Sequence, residues 1–403
     1  MNRVPVISKE GKPLMPTKPS RARRWVKEGK AVGKWSDLGV YYVQLITSPS
    51  AEEVQPITVG VDPGKSYSGV GVQSAKCTLL QLHLILPFGR VKKRMETRAM
   101  LRRGRRGRRI NRDVPFKQRN HRQCRFDNRK GHKIPPSIKA SRQLELRTVM
   151  ELAAIFPVTA IGYERVKADV DQTQRKRAKS GKGFSPVMVG QDWAISQMEK
   201  IALRQDFGVS AQSNAQGITP VYVRHGWQKD GNGTSQLRTQ LGLEKDKANK
   251  SIAKPETHAV DGVTLACGYF IKYVPFTGSN SYGYTHKGSV NVTPSPFKII
   301  TRPGAVKRGK EYGFFRRQLH FEVPDKLGVR KRKGGTITPF GLRIGDLVRA
   351  EKAGKSYIGY VSGFTDTKKA QKVSVCDYTW KRIGQFAPSK VELIRRNNGL
   401  CVA

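Results

Sequence analysis

The chain has 403 residues, 37% of them apolar, enough for two or three domains at ~150 residues each. Its 76 Lys and Arg against 30 Asp and Glu leave a formal charge of +46. That much like charge repels itself unless a polyanion sits among it, and nucleic acid fits that role. No long apolar helix or signal-peptide core is evident, which argues against a membrane-spanning protein and makes a membrane surface the weaker partner.

Residues 1–52 read as a small unit. The strand-like "RVPVIS" leads to "KEGKPLMPTKPSRARRWVKEGKA", where Pro19 suits the first turn of a helix and Gly29 its end. Ala22, Trp25 and Val26 share one side of that helix, and Arg24 and Lys27 face away. "VYYVQLI" reads as the next strand. Three β-rich runs follow, "ITVGVDPG", "YSGVGVQS" and "LLQLHLILPF", with glycines marking tight turns of a meander.

Composition then changes abruptly. Val91–Arg112, "VKKRMETRAMLRRGRRGRRINR", carries eleven Lys or Arg in 22 residues, nine of them Arg. Such a segment cannot be buried in an apolar core, and Gly104 and Gly107 weaken it as an isolated helix. It makes sense as an arginine-rich rod ordered by a polyanion, the planar guanidinium matching phosphate oxygens. "LELRTVMELAAIF" has helical periodicity, and "VTAIGYE" is a short buried-type strand ending on Glu164. After the basic loop "RKRAKSGKGFSP" come the amphipathic helix "QDWAISQMEKIALRQDFG", the strand "ITPVYVR" and the helix "KPETHAVDGVTLACGYFIKY". Ala259, Val263, Ala266 and Phe270 line one side of the last. Beyond Pro275 long helical patterns vanish. "GLRIGDLVRAE", "KSYIGYVSGF", "KVSVCDY" and "KVELIRR" are four short strands that read as a small SH3-like barrel. The five cysteines, Cys77, Cys124, Cys267, Cys376 and Cys401, form no CxxC pair. No zinc knuckle is expected from them, and their odd number fits a reducing cytoplasm.

The chemistry centres on Val59–Val72, "VGVDPGKSYSGVGV". Gly64-Lys65-Ser66 resembles the end of a phosphate-cradling loop, but that motif needs a glycine where Val59 stands. Pro63 also lacks an N–H, and Asp62 would repel phosphate. The alternative is a metal carboxylate. Asp62 follows "ITVGV", Glu164 follows "VTAIGY", and Asp261 lies in a helix three residues after His258, which puts those two on one face. Carboxylates gathered at a sheet edge in a strongly cationic protein can hold two Mg²⁺ ions about 4 Å apart on a scissile phosphate. The histidine can take the proton of the attacking water.

These residues carry a resemblance. "VGVDPGKSYSGVGV", "AIGYERV" and "HAVDGVTLA" resemble the three split motifs of RuvC-type nucleases, whose Asp, Glu, His and Asp fall on Asp62, Glu164, His258 and Asp261. "GKPLMPTKPSRARRWVKEGKAV" looks like the PLMP domain of the transposon-encoded IscB and IsrB families. "MLRRGRRGRRINR" is similar to their arginine-rich bridge helix, and "RQLHFEVPDKLGVRKRKGGT" to the stretch before their C-terminal domain. IscB carries an HNH nuclease between the second and third motifs. Here Arg165–Lys254 holds one histidine, His225, and no cysteine, so the resemblance falls on the HNH-lacking IsrB group. A smaller departure is Gly262, where those families often have alanine; it is expected to loosen the helix slightly.

The resemblance implies an α/β chain with an RNase H-like (RuvC) core split by a bridge helix, a small N-terminal domain and a β-rich C-terminal region. The expected segments are PLMP 1–52, first RuvC motif 53–89, bridge helix and basic linker 90–137, second motif 138–224 and third motif 225–274. An RNA- and DNA-contacting linker domain (275–335) and a barrel reading a target-adjacent motif (336–403) complete it. It implies a Mg²⁺-dependent nickase, Mn²⁺ able to substitute, with Asp62, Glu164 and Asp261 as ligands and His258 as base. A long structured guide RNA (ωRNA) would pair with one strand of double-stranded DNA, and the displaced strand would be cut. Arg94, Arg98, Arg102, Arg103, Arg105, Arg106, Arg108 and Arg109, with Arg21 and Arg24, would contact the RNA. The protein would be monomeric within a cytoplasmic, prokaryotic ribonucleoprotein that meets the nucleoid on target. Two other classes remain open: a guide-independent, structure-selective DNA nuclease, and a non-catalytic RNA-binding protein.

Overall fold

A computed structural model describes residues 3–107, 111, 113–118, 134–165, 186–204, 221–224, 233–278, 281–304, 307–308, 311–312, 323–324, 330–331, 337–367 and 370–403. It has two units, Met1–Lys34 with Tyr41–Phe297, and Trp35–Val40 with Lys298–Ala403.

In the first unit, β1 (Val4–Ile7) pairs antiparallel with β2 (Pro13–Thr17) and parallel with β4 (Tyr41–Leu45), and β3 (Ala31–Trp35) completes the order β2-β1-β4-β3. The strand β2 is "PLMPT", which was not marked as a strand in the sequence; it lies at a sheet edge, where its two prolines are tolerated. α1 (Pro19–Lys27) starts on Pro19, and Gly29 beyond its end has φ +69°. Ala22 packs with Val6, Leu14, Ala31 and Val43, and Trp25 lies against them. Val26 is not part of that side; it is 38% exposed.

The larger sheet of this unit runs β7-β6-β5-β8-β9, with β5 (Ile57–Asp62), β6 (Tyr67–Ser74), β7 (Thr78–Ile85), β8 (Val158–Glu164) and β9 (Val221–Arg224). β5, β6 and β7 form the antiparallel meander read from the sequence, and β8 and β9 add in parallel to β5. Every residue of β5 is buried, so a helix must cover each face. α3 (Pro136–Ala153) buries Leu144, Val149 and Leu152 and packs against α4 (Pro186–Arg204). α6 (Val260–Cys267), entirely buried, covers β5 and β6. It ends at Cys267, so Phe270, expected on its apolar side, lies past its end.

The arginine-rich segment is a helix, α2 (Phe88–Gly107), packed against α3 and paired within itself at Lys92–Glu96. It starts earlier than expected, because Phe88 and Val91 give it an apolar first turn, and it crosses the expected 89/90 boundary. The 274/275 boundary likewise falls inside a strand, β10 (Lys272–Gly278), which pairs antiparallel with β11 (Ser281–Lys287). No helix among the described residues is long and apolar enough to cross a membrane.

In the second unit, β12 (Phe297–Thr301) pairs with Cys401–Val402. Five further strands form an antiparallel sheet in the order 382–386, 370–376, 355–367, 347–352, 391–395. A 3₁₀ turn at Pro388–Lys390 precedes the last. Val348, Ala350, Val361, Val373, Val375 and Phe386 fill its core. The sequence indicated four strands here; Arg382–Phe386, short and half polar, is the fifth.

Candidate active site

β5 and β8 are parallel, with Val61 opposite Tyr163, so the next residues, Asp62 and Glu164, end both strands at one edge of the sheet. α6 brings its first turn, with Asp261, to the same edge. The preceding π-helical turn, Pro255–Ala259, carries His258. The four residues singled out in the sequence therefore converge.

Bare backbone makes the approach possible. A Cβ on Gly60 would lie 2.0 Å from the Gly262 oxygen, one on Gly71 2.4 Å from the Val263 nitrogen, and one on Gly262 2.7 Å from the Gly71 nitrogen. Thr58 Oγ1 donates to the Ala266 oxygen at 2.8 Å and fastens the other end of the helix. Gly262 thus seats the helix on the sheet, whatever it costs the helix in propensity.

His258 Nε2 lies 3.1 Å from the Lys250 carbonyl oxygen, which can only accept, so Nε2 carries the proton. Nδ1 is left facing Asp62 Oδ2 at 3.8 Å. Asp261 Oδ1 accepts from Arg238 Nη1 at 2.5 Å. Its Oδ2 is ion-paired with Lys245 Nζ, which also lies 3.7 Å from Asp62 Oδ2. Burial opposes the charge on Asp62, but His258 and the Lys245 ammonium hold its carboxyl below the ordinary range. Glu164 is pushed the other way, to about 8, by burial and by Asp62; Thr234 hydrogen-bonds it. The two acids thus share a proton, as crowded like charges do. Burial works against Lys245 as well, and Asp62 and Asp261 outweigh it.

Among the described residues no three His, Cys, Asp or Glu side chains already form a metal cage. Two cations and a proton neutralise the carboxylates instead. The donor set itself, three carboxylates and no sulfur, fits a hard divalent cation such as Mg²⁺.

A buried network supports the Asp62 loop from below. Arg142 donates to the Tyr163 hydroxyl at 3.0 Å and to the Gly64 carbonyl, and lies 3.1 Å from Glu145 Oε2. Ser68 donates to Glu145 at 2.5 Å and accepts from the Gly64 N–H at 3.1 Å. Burial raises the Glu145 carboxyl to about 7, with Arg142 opposing. Behind His258 stands His83, fully buried, its ring 5.4 Å away. A cleft of about 230 Å³ opens beside the acids, lined by Glu164, Asp261, Thr234, Arg238, Lys245 and Lys250, among others.

Arg238, Lys245, Arg142, Glu145 and His83 were not singled out in the sequence. Arg142 and Glu145 left a signal: they fall among the core-facing positions of α3 with Leu144 and Val149. Lys245 left none, being one basic residue among many. Of the expected RNA contacts, Arg21, Arg24, Arg98, Arg102 and Arg103 are exposed and Arg94 half-buried. The side chains of Arg105 and Arg106, and Arg108 and Arg109 altogether, lie outside the described residues.

Residues 4–184 match the family described as RRXRR protein, which is associated with IscB- and IsrB-type proteins. Arg102-Arg103-Gly104-Arg105-Arg106 spells that pattern. No curated protein matches. Among solved structures, RuvC of T. thermophilus in complex with a Holliday junction substrate is 13% identical over 53% of this chain and 92% of that one, with a TM-score of 0.23. At that similarity no chemistry can be transferred.

Proposed function

We propose that this protein is a divalent-metal-dependent DNA nuclease of the RNA-guided, IsrB-like kind, which nicks the displaced strand. The observation that carries the reading is the meeting of Asp62, Glu164, Asp261 and His258 at one sheet edge beside a cation-lined cleft. A turn aspartate or a lone helical histidine is common; four such groups drawn together from three separate stretches of chain are not explained by packing. The match to the RRXRR family over residues 4–184 supports the same kinship.

Asp62, Glu164 and Asp261 would hold the metal, which supplies positive charge for the phosphate oxygens and eases deprotonation of water. The chain's own residues do the rest. His258 turns Nδ1 toward Asp62 at 3.8 Å, the side from which the ring in its neutral form would accept the proton of an attacking water. The Lys250 carbonyl keeps the ring in that tautomer. Arg142 and Ser68 fix the Gly64 backbone two residues past Asp62 and so hold the turn that carries the carboxylate. The α2 arginines would lie along a guide-RNA backbone, and the C-terminal sheet would close as an SH3-like barrel on a target-adjacent motif.

The test is a supercoiled plasmid carrying a guide-matched target beside a randomised flank, incubated with Mg²⁺ and the protein purified with RNA from its own locus. Open-circle product that requires the matched guide is expected. Linear product would contradict one-strand cutting. Cutting without RNA would favour the structure-selective nuclease, and RNA binding without cutting the binding protein. Asp62→Ala is expected to abolish nicking while RNA binding remains.

A further inference from the structure

The cations around the carboxylates come from one stretch of chain. Arg238 lies on α5 (Thr234–Gln240), and Lys245 on the connection 241–254 that leads to the π-helical turn. Both oxygens of Asp261 are taken, Oδ1 by Arg238 and Oδ2 by Lys245. Lys245 Nζ also lies 3.7 Å from Asp62 Oδ2. The ammonium therefore stands between Asp62 and Asp261, which is where a cation shared by those two carboxylates must go. An ammonium and a divalent ion repel, so they cannot share that position.

Three features make Lys245 removable. Its stretch is neither helix nor strand. Its backbone is anchored beside Lys245 by the Asp246 N–H bond to the Glu256 oxygen at 2.8 Å, so the long lysine side chain can move off while the stretch stays in place. The same stretch presents exposed Lys247 and Lys250 to the cleft, so a phosphate chain entering there meets a cationic wall continuous with Lys245.

We propose that Lys245 is a tethered counter-ion that holds the divalent-cation position of the free protein, and that a nucleic-acid backbone entering the cleft draws it off, so metal and strand load together. This rests on the nuclease reading. Lys245 keeps the carboxylates gathered before the metal arrives, and it prevents tight metal binding until a strand is present.

The experiment is a Mn²⁺ titration of the full chain, freed of nucleic acid in high salt, with unbound Mn²⁺ read by electron paramagnetic resonance. Asp62→Asn defines the background. Lys245→Met is expected to fill its site at about tenfold lower Mn²⁺ than wild type, and to melt below wild type in chelator but recover with Mn²⁺. A phosphorothioate-blocked single-stranded DNA is expected to tighten Mn²⁺ binding by wild type and not by Lys245→Met. Should Lys245→Met fold poorly, Lys245→Gln, also neutral and still polar, takes its place and is expected to bind Mn²⁺ more tightly than wild type. Equal or weaker Mn²⁺ binding by both neutral variants overturns the proposal. Wild-type Mn²⁺ binding by Asp62→Asn is a separate failure, one that removes the metal-site reading beneath it.

Discussion

His83 shows how a side chain outside the reacting groups can set the behaviour of the site around it. Its ring is fully buried, 5.3 Å from the Tyr67 ring and 5.4 Å from that of His258, with Nδ1 3.3 Å from Thr257 Oγ1. Nε2 is buried without a hydrogen-bond partner. Burial, with the charge of His258 adding to it, lowers its pKa to about 4. The unfolded chain takes up the same proton near ~6.5. Between those values the unfolded state binds more protons, so this contribution to stability is complete above pH ~6.5 and is lost as pH falls toward 4. Its full size is on the order of 3 kcal/mol. Glu145 and Glu164, both pushed up, act in the opposite sense over part of the same range, so the test is a comparison rather than a single slope. Denaturant midpoints measured at pH 7 and pH 4.5 should drop further for wild type than for His83→Gln. Parallel drops would mean that His83 is not held neutral.

At the scale of elements, the site depends on how closely α6 approaches β5 and β6. Gly262→Ala is expected to destabilise the protein by about 1–3 kcal/mol, the usual cost of overpacking, because the new methyl meets strand backbone rather than a side chain that can turn aside. It should also lower nicking, since the same displacement moves Asp261 and His258 away from Asp62. Thermal melting beside plasmid nicking checks this, and an unchanged melt with full activity would refute the close-packing account. Much of this arrangement was legible beforehand. The β-branched run before Asp62 and the apolar run before Glu164 are strands because of their composition, and both end on the acid because the turn begins there. What the sequence did not reveal was mostly contact across distance. Nothing in "GLEKDKANK" sets Lys245 apart from Lys247 or Lys250; only the chain's path brings it against Asp62. The packing role of Gly262 was hidden for a related reason. Glycine weakens a helix taken alone, and its value here appears only when Gly71 lies opposite. "PLMPT" carries no strand signal because proline is poor in most strands, a rule that fails at edges.

For the whole molecule the governing quantity is the charge of +46. With 76 Lys and Arg against 30 Asp and Glu, most of these cations cannot each have a carboxylate of their own inside the chain. The arginine-rich helix carries Lys92–Glu96 as an internal pair, both side chains more than half exposed, and exposed pairs of that kind contribute ~0–1 kcal/mol. The protein freed of nucleic acid should therefore be stressed by its own repulsion. Raising salt shortens the screening length from ~10 Å at 0.1 M to ~3 Å at 1 M, so its melting temperature should rise with salt. The complex with RNA should behave in the reverse way, because salt removes the counterion-release gain that binds the polyanion. Differential scanning fluorimetry from 0.1 to 1 M salt, with and without bound RNA, is expected to give two curves that converge. This expectation is overturned if the free protein melts at one temperature throughout, since its charge would then be balanced by contacts within the fold. It also fails if bound RNA adds no stability at low salt, where a polyanion has its largest effect on so cationic a chain.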